Sequence, residues 1–69
     1  MTVGQAIRKA RTERGYSMPR LAKKMGIQVQ TIYQWEAGIS EPRCWLLIAL
    51  ADALDISLDE LVGRNVQEE

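Results

Sequence analysis

A chain of 69 residues has room for one small domain that buries only about 60% of the surface its unfolded form exposes, which leaves little interior for a ligand cavity. One cysteine and no histidine exclude an internal disulfide and argue against a Cys/His metal cluster and for a reduced cytosolic protein. The formal net charge is zero, but residues 1–36 hold seven basic against two acidic residues and residues 37–69 hold two against seven, so the halves carry +5 and −5. Segregation of that kind lets one face meet phosphates while the other stays soluble and repels them.

In chain order, the local signals predict five helices and no strand. Thr2 and Gln5 have capping-box spacing, Val3, Ala6, Ile7 and Ala10 recur at helical intervals, and Gly15 stands where a left-handed residue ends a helix, which predicts a first helix over 3–14. Ser17 can cap a second helix over 18–25, Pro19 is tolerated in its first turn, and Leu21, Ala22 and Met25 form its inward stripe before Gly26. The third helix begins near Gln28, points Ile32 and Trp35 inward and stops at Gly38. Pro42 opens the fourth, where Cys44, Leu47, Leu50, Ala51 and Leu54 recur at three- and four-residue intervals, so Cys44 is expected to be a small buried hydrophobe. Ser57 and Glu60 form a second capping-box pair ahead of Leu61 and Val62, giving a short fifth helix. Residues 1–63 are read as one domain and 64–69 as a flexible polar tail. The apolar run from Cys44 to Ala51 is too short to span a bilayer, and the N-terminus lacks the order of a signal peptide, so no membrane association is expected.

The second and third helices are separated only by Gly26, Ile27 and Gln28, a glycine-containing turn of the length that joins a helix-turn-helix pair. RLAKKMGIQVQTIYQWEAG resembles the helix-turn-helix of the lambdoid phage repressor and Cro class and of its bacterial relatives, the xenobiotic-response-element family of regulators. AIRKARTERGYSMPRLA resembles that family's first helix and turn, and EPRCWLLIALADALDISLDELV its fourth and fifth helices, so the match spans residues 3–62. The ordered set Leu21-Ala22, Gly26, Ile32, Trp35-Glu36, Gly38, Pro42, Ala51, Leu54 and Leu58-Asp59-Glu60-Leu61 carries it. The resemblance implies an all-α, five-helix lambda-repressor-like DNA-binding domain; it says less about what is regulated.

In that geometry the N-terminal end of the third helix enters the major groove of double-stranded DNA. With Ile32 and Trp35 inward, Val29, Gln30, Tyr33 and Gln34 face outward as base readers: glutamine can bond adenine bidentately, and valine can pack on a thymine methyl. Gln28, where the family often has Ser or Thr, can donate to a phosphate beside the free helix N–H groups. Arg43 resembles family positions that approach the backbone or minor groove, and Lys9, Arg14, Arg20, Lys23 and Lys24 form a looser pool of phosphate contacts. Met18 departs from the pattern, because the family commonly has a phosphate-bonding Gln there. Arg11 matches an arginine that in the family pairs with a glutamate, here Glu36; both are assigned to structure.

Two function classes are compatible with these residues. One is a sequence-specific DNA-binding transcriptional regulator of the repressor type, working as a homodimer on a palindromic operator so that two recognition helices reach half-sites about 34–36 Å apart. The other is a protein-interaction module of the same fold, such as the antitoxin of a toxin–antitoxin pair. Trp45 keeps the second open: in the frame that buries Cys44 it points outward, on an exposed stripe with Ala49 and Asp52, as a contact surface for self-association or a partner. The dimer surface is expected in the C-terminal half, around Asp55, Ile56 and Ser57, with Trp45 at its edge or serving another partner. No Gly-rich phosphate loop and no nucleophile with a plausible base partner is present, so no catalytic site, cofactor, metal or small-molecule ligand is expected.

Overall fold

Five helices follow one another in the computed structural model, which describes residues 2–62: α1 (Val3–Glu13), α2 (Met18–Met25), α3 (Val29–Ala37), α4 (Cys44–Leu54) and α5 (Leu58–Val62). All regular structure among the described residues is helical, as the spacing predicts. The polar tail expected over 64–69, and with it the boundary after residue 63, lies outside the described residues. None of the described helices is long and apolar enough to cross a membrane.

The starts of the helices obey local chemistry. The Gln5 amide donates to Thr2 Oγ1 at 3.1 Å while the Thr2 amide donates to Gln5 Oε1 at 3.0 Å, a complete capping box. Ser17 Oγ accepts from the Arg20 amide at 3.1 Å and Ser57 Oγ from the Glu60 amide at 3.1 Å, so α2 and α5 also begin on a hydroxyl cap. The ends are equally regular. After α1, α2, α3 and α4 a residue in the left-handed region is followed by one whose amide reaches back five residues, as in Tyr16 to the Arg11 carbonyl, Ile27 to Ala22, Ile39 to Gln34 and Ile56 to Ala51. Three of those left-handed residues are glycines; the fourth is Asp55, at φ 58°, a conformation that costs a side-chain-bearing residue about 1–2 kcal/mol. Tyr16, Ile27 and Ile56 then turn back onto the core, whereas Ile39 projects outward.

Ile7, Leu21, Ile32, Leu50, Leu54 and Leu61 are fully buried, with Trp35 and small residues of α1, α2 and α4 between them. α1 lies across α3 and α5, while α2 packs on α3 and α4. The crossing of α1 and α3 is close because residue 4 is glycine: a Cβ there would overlap the Trp35 carbonyl oxygen and come to 3.0 Å from that of Glu36.

α4 departs from the expected frame. Its buried face is Leu50, Ala51 and Leu54, with Leu46 and Leu47 half-buried; Cys44 is exposed. Arg43 rather than Pro42 stands at the boundary, so Cys44 opens the first turn, and the core lies beneath the second half of the helix. Eight consecutive apolar residues exceed what one helix face can bury, and the surplus falls at the N-terminal end, where Cys44, Trp45 and Ile48 meet solvent. Ala49, expected on the exposed stripe, is half-buried.

Candidate nucleic-acid interface

α2, the turn 26–28 and α3 present a helix pair whose second member buries Ile32 and Trp35 and turns Val29, Gln30 and Tyr33 to solvent, with Gln34 half-buried beside them. A 3.6-residue period allows no other arrangement once Ile32 and Trp35 are inside. The presented side chains are uncharged, so nothing on this face competes for nearby phosphates, and amide, hydroxyl and apolar groups of the kind that match base edges lie within two turns.

The helix N-termini fall into two groups. Those of α1, α2 and α5 are closed by the hydroxyls of Thr2, Ser17 and Ser57, but Gln28 and Arg43, at the starts of α3 and α4, cap nothing with their side chains. The first amides of these two helices therefore keep free donors, and the aligned peptide dipoles add partial positive charge, which makes both ends suited to anions. Gln28 and Arg43 are themselves exposed.

Behind α3 sits one buried ion pair. Arg11 Nε donates to Glu36 Oε2 at 2.6 Å and Nη2 to Oε1 at 3.0 Å, with side chains 11% and 4% exposed. Its Nη1 also donates to the Tyr16 carbonyl at 2.8 Å. One guanidinium thus ties α1 to the C-terminal turn of α3 and to the entry into α2, fixing how α3 sits against both.

The remaining cations among the described residues do not form one patch. Lys9 and Arg14 line a crevice of about 220 Å³ between α1 and α5 with Ala6, Ala10, Glu13, Ile56 and Glu60, and Arg14 Nη2 donates to the Asp55 carbonyl at 3.1 Å. Arg20 and Lys24 gather on Tyr16: the Arg20 guanidinium lies 4.9 Å and the Lys24 ammonium 5.1 Å from its ring centroid, and Lys24 Nζ donates to the hydroxyl at 2.7 Å. That hydrogen bond, more than the opposing effect of desolvation, lowers the Tyr16 pKa from its ordinary value near 10. Lys23 is exposed in the last turn of α2. Arg8, outside the expected pool, lines a second hollow with Met18 and Tyr33. Charge counting along the chain cannot separate Arg8 from Lys9; the helical rotation of about 100° between neighbours sends them to different sides of α1.

The surface expected for self-association is divided. Trp45 is 64% exposed at the start of α4, with Ile48 and Asp52 on the same outer face. Asp55, Ile56 and Ser57 lie at the other end of α4, about 15 Å away at 1.5 Å per residue. Ile56 is half-buried against the core, and Asp55 and Ser57 are exposed. Ile48 and Ile39 were not singled out from the sequence; the three-residue interval from Trp45 was the available signal for Ile48.

Comparison with known proteins places these features in context. The sequence profile of the helix-turn-helix family matches residues 7–61. The SPbeta prophage-derived uncharacterized HTH-type transcriptional regulator YonR of Bacillus subtilis is 37% identical over 65 residues, covering 93% of this chain and 60% of the relative. The cryptic phage CTXphi transcriptional repressor RstR of Vibrio cholerae is 38% identical over 72% of this chain and 45% of its own length. The chain thus spans about half the length of such relatives, although the uncharacterized HTH-type regulator YazB of Bacillus subtilis matches over 84% of both chains at 38% identity. Among solved structures, the P22 c2 repressor protein in complex with a synthetic operator superimposes with a TM-score of 0.82 at 32% identity, over 94% of this chain and 98% of that one. The N-terminal DNA-binding domain of SinR from Bacillus subtilis gives 0.78 at 29% identity, over 97% and 96%.

Proposed function

The chain belongs to the helix-turn-helix family, and from that premise we propose that it is a sequence-specific, double-stranded-DNA-binding regulator of transcription that represses by occupying an operator in the cytoplasm. The observations that carry this reading are the uncharged outward face of α3 and the N-termini of α3 and α4, which no side chain caps. Val29, Gln30, Tyr33 and Gln34 read base edges in the major groove, while Gln28 and Arg43 bind the flanking backbone or minor groove. Of the looser pool, Lys23 is placed for the general electrostatic attraction of DNA. Lys9, Arg14, Arg20 and Lys24 contribute through long-range charge, because Lys9 and Arg14 line the α1–α5 crevice, the Arg14 guanidinium bonds the Asp55 carbonyl, and the Arg20 and Lys24 head groups gather on Tyr16.

One recognition helix contacts too few base pairs to select a site within a genome, so the protein works as a homodimer on a palindromic operator. The self-association surface is the region around the turn 55–57, which leaves α3 free, with Trp45 at the other end of α4 at its edge or serving another partner. That half is acidic, so the free dimer is weak and DNA stabilises it by binding both copies. Selection of operator fragments from a random duplex pool, followed by binding of Gln30→Ala to the selected and to random DNA, tests the reading. The selected site should lose about 1–3 kcal/mol and random DNA almost nothing. Equal losses on both would remove the base-reading assignment, and one protomer per operator at saturation would remove the dimer.

A further inference from the structure

So short a chain gave no reason to expect a ligand cavity, yet a crevice of about 220 Å³ opens where α5 packs on α1. Its floor is Ala6 and Ala10, both buried, and the half-buried Ile56. Alanines four residues apart on α1 leave a depth that larger aliphatic side chains would fill. Its rim is charged, with Lys9 and Arg14 against Glu13 and Glu60, all four exposed. These groups do not neutralise one another by contact. Among the described residues no ion pair joins them, and the side chains of Lys9, Glu13 and Glu60 make no hydrogen bond, while Arg14 gives only Nη2, to the Asp55 carbonyl. The crevice thus offers separated charges of both signs around an apolar base.

We propose that this crevice binds a free aliphatic α-amino acid, with its carboxylate at Lys9 and the open donors of Arg14, its ammonium at Glu60 and Glu13, and its side chain on Ala6, Ala10 and Ile56. The rim sums to zero, so its field favours neither a simple anion nor a simple cation. A zwitterion gains at both ends, through charge-assisted hydrogen bonds to carboxylate and to ammonium, and its alkyl group takes the apolar floor out of water. The volume lies below the about 300–1,000 Å³ of sites for drug-sized ligands, which limits the guest to a small metabolite and the dissociation constant to about 0.1–1 mM. Such a guest bridges α1 to α5 and braces the turn 55–57. The link from that turn to self-association rests on the proposed function; the seat itself needs neither DNA nor a second copy.

The measurement is a nitrogen–proton correlation NMR titration of the full chain with L-leucine up to tens of millimolar. Saturable shifts are expected at the amides of Ala6, Ala10, Ile56 and Glu60, with those of α3 unmoved. Isoamylamine lacks the carboxylate, isocaproate the ammonium and glycine the side chain, and each should bind about tenfold more weakly or not at all. Lys9→Met and Glu60→Gln should weaken leucine by about threefold to tenfold. Asp59→Asn, next to Glu60 but outside the crevice, should bind it as the native chain does. An absence of saturable shifts with L-leucine, binding of the amine or the carboxylate as tight as that of leucine, or an equal loss in Asp59→Asn would overturn the seat and leave the DNA reading of α3 untouched. The spectrum of each variant reports its fold, and the comparison of the four small molecules uses the native chain alone.

Discussion

Removing either member of the Arg11–Glu36 pair should destabilise the domain far more than removing both. The carboxylate of Glu36 is 4% exposed and the guanidinium of Arg11 11%, and they meet through two hydrogen bonds. Arg11→Met leaves a buried carboxylate with its partner gone and also frees the Tyr16 carbonyl; Glu36→Leu leaves a buried guanidinium with only that carbonyl. Stranding one charge of such a pair costs about 3–5 kcal/mol, against a total stability of about 3–10 kcal/mol for a domain this small. Each single variant is thus expected at the edge of unfolding at room temperature, with Arg11→Met the worse by about 1 kcal/mol for the lost carbonyl bond. The double variant buries no lone charge and should lose only about 1–2 kcal/mol. Urea unfolding followed by far-ultraviolet circular dichroism, with the four proteins closed into a double-mutant cycle, gives the coupling directly. Single losses below about 1 kcal/mol, or a double loss equal to their sum, would refute the reasoning, because an ion pair open to solvent behaves that way.

Gly4→Ala should destabilise by about 1–3 kcal/mol although alanine is the better helix former, since its Cβ meets the carbonyls of Trp35 and Glu36 and α1 must move away from α3; thermal melting that shows a gain would refute the close crossing. Asp55→Gly should raise stability by up to about 1 kcal/mol by relieving the left-handed backbone at φ 58°, and a drop in the urea midpoint would show that the side chain stabilises the turn. Arg43→Ala should weaken binding to every duplex and flatten the salt dependence by about one unit, as one fewer counterion is released; an unchanged slope returns Arg43 to the solvated surface. Lys24→Met removes the main cause of the lowered Tyr16 pKa, so tyrosinate absorbance should rise at higher pH in the variant. Because the folded pKa is the lower one, the linked stabilisation is present above the unfolded pKa near 10 and fades as pH falls through the folded value; an unshifted titration would mean that the hydrogen bond does not form in solution.

The helices, their caps and the α2–turn–α3 unit were legible from sequence because each depends on residues within one or two turns of one another. Thr2 with Gln5, Ser17 with the Arg20 amide, and the left-handed glycines at 15, 26 and 38 act locally. The inward positions Ile32 and Trp35 also oriented α3, so its outward residues followed from the helical period alone. The Arg11–Glu36 pairing came from family resemblance, since nothing local links residues 25 apart in the chain.

Whatever depended on which surfaces meet was decided by tertiary structure. Cys44 shares the interval of Leu47 and Leu54, but the core ends beneath the second half of α4 and leaves it in solvent. Asp55 carries no glycine signal, yet the chain reverses there with φ 58°, and the Arg14 guanidinium from α1 bonds its carbonyl. Charge along the chain showed a basic half but not its division. Arg8 faces the hollow beside Tyr33, Lys9 and Arg14 face the α1–α5 crevice, and Arg20 and Lys24 cluster on Tyr16. A basic side chain is equally at home on any exposed part of a helix, so its neighbours are set by how the helices cross, and one residue of rotation, about 100°, is enough to exchange one surface for another.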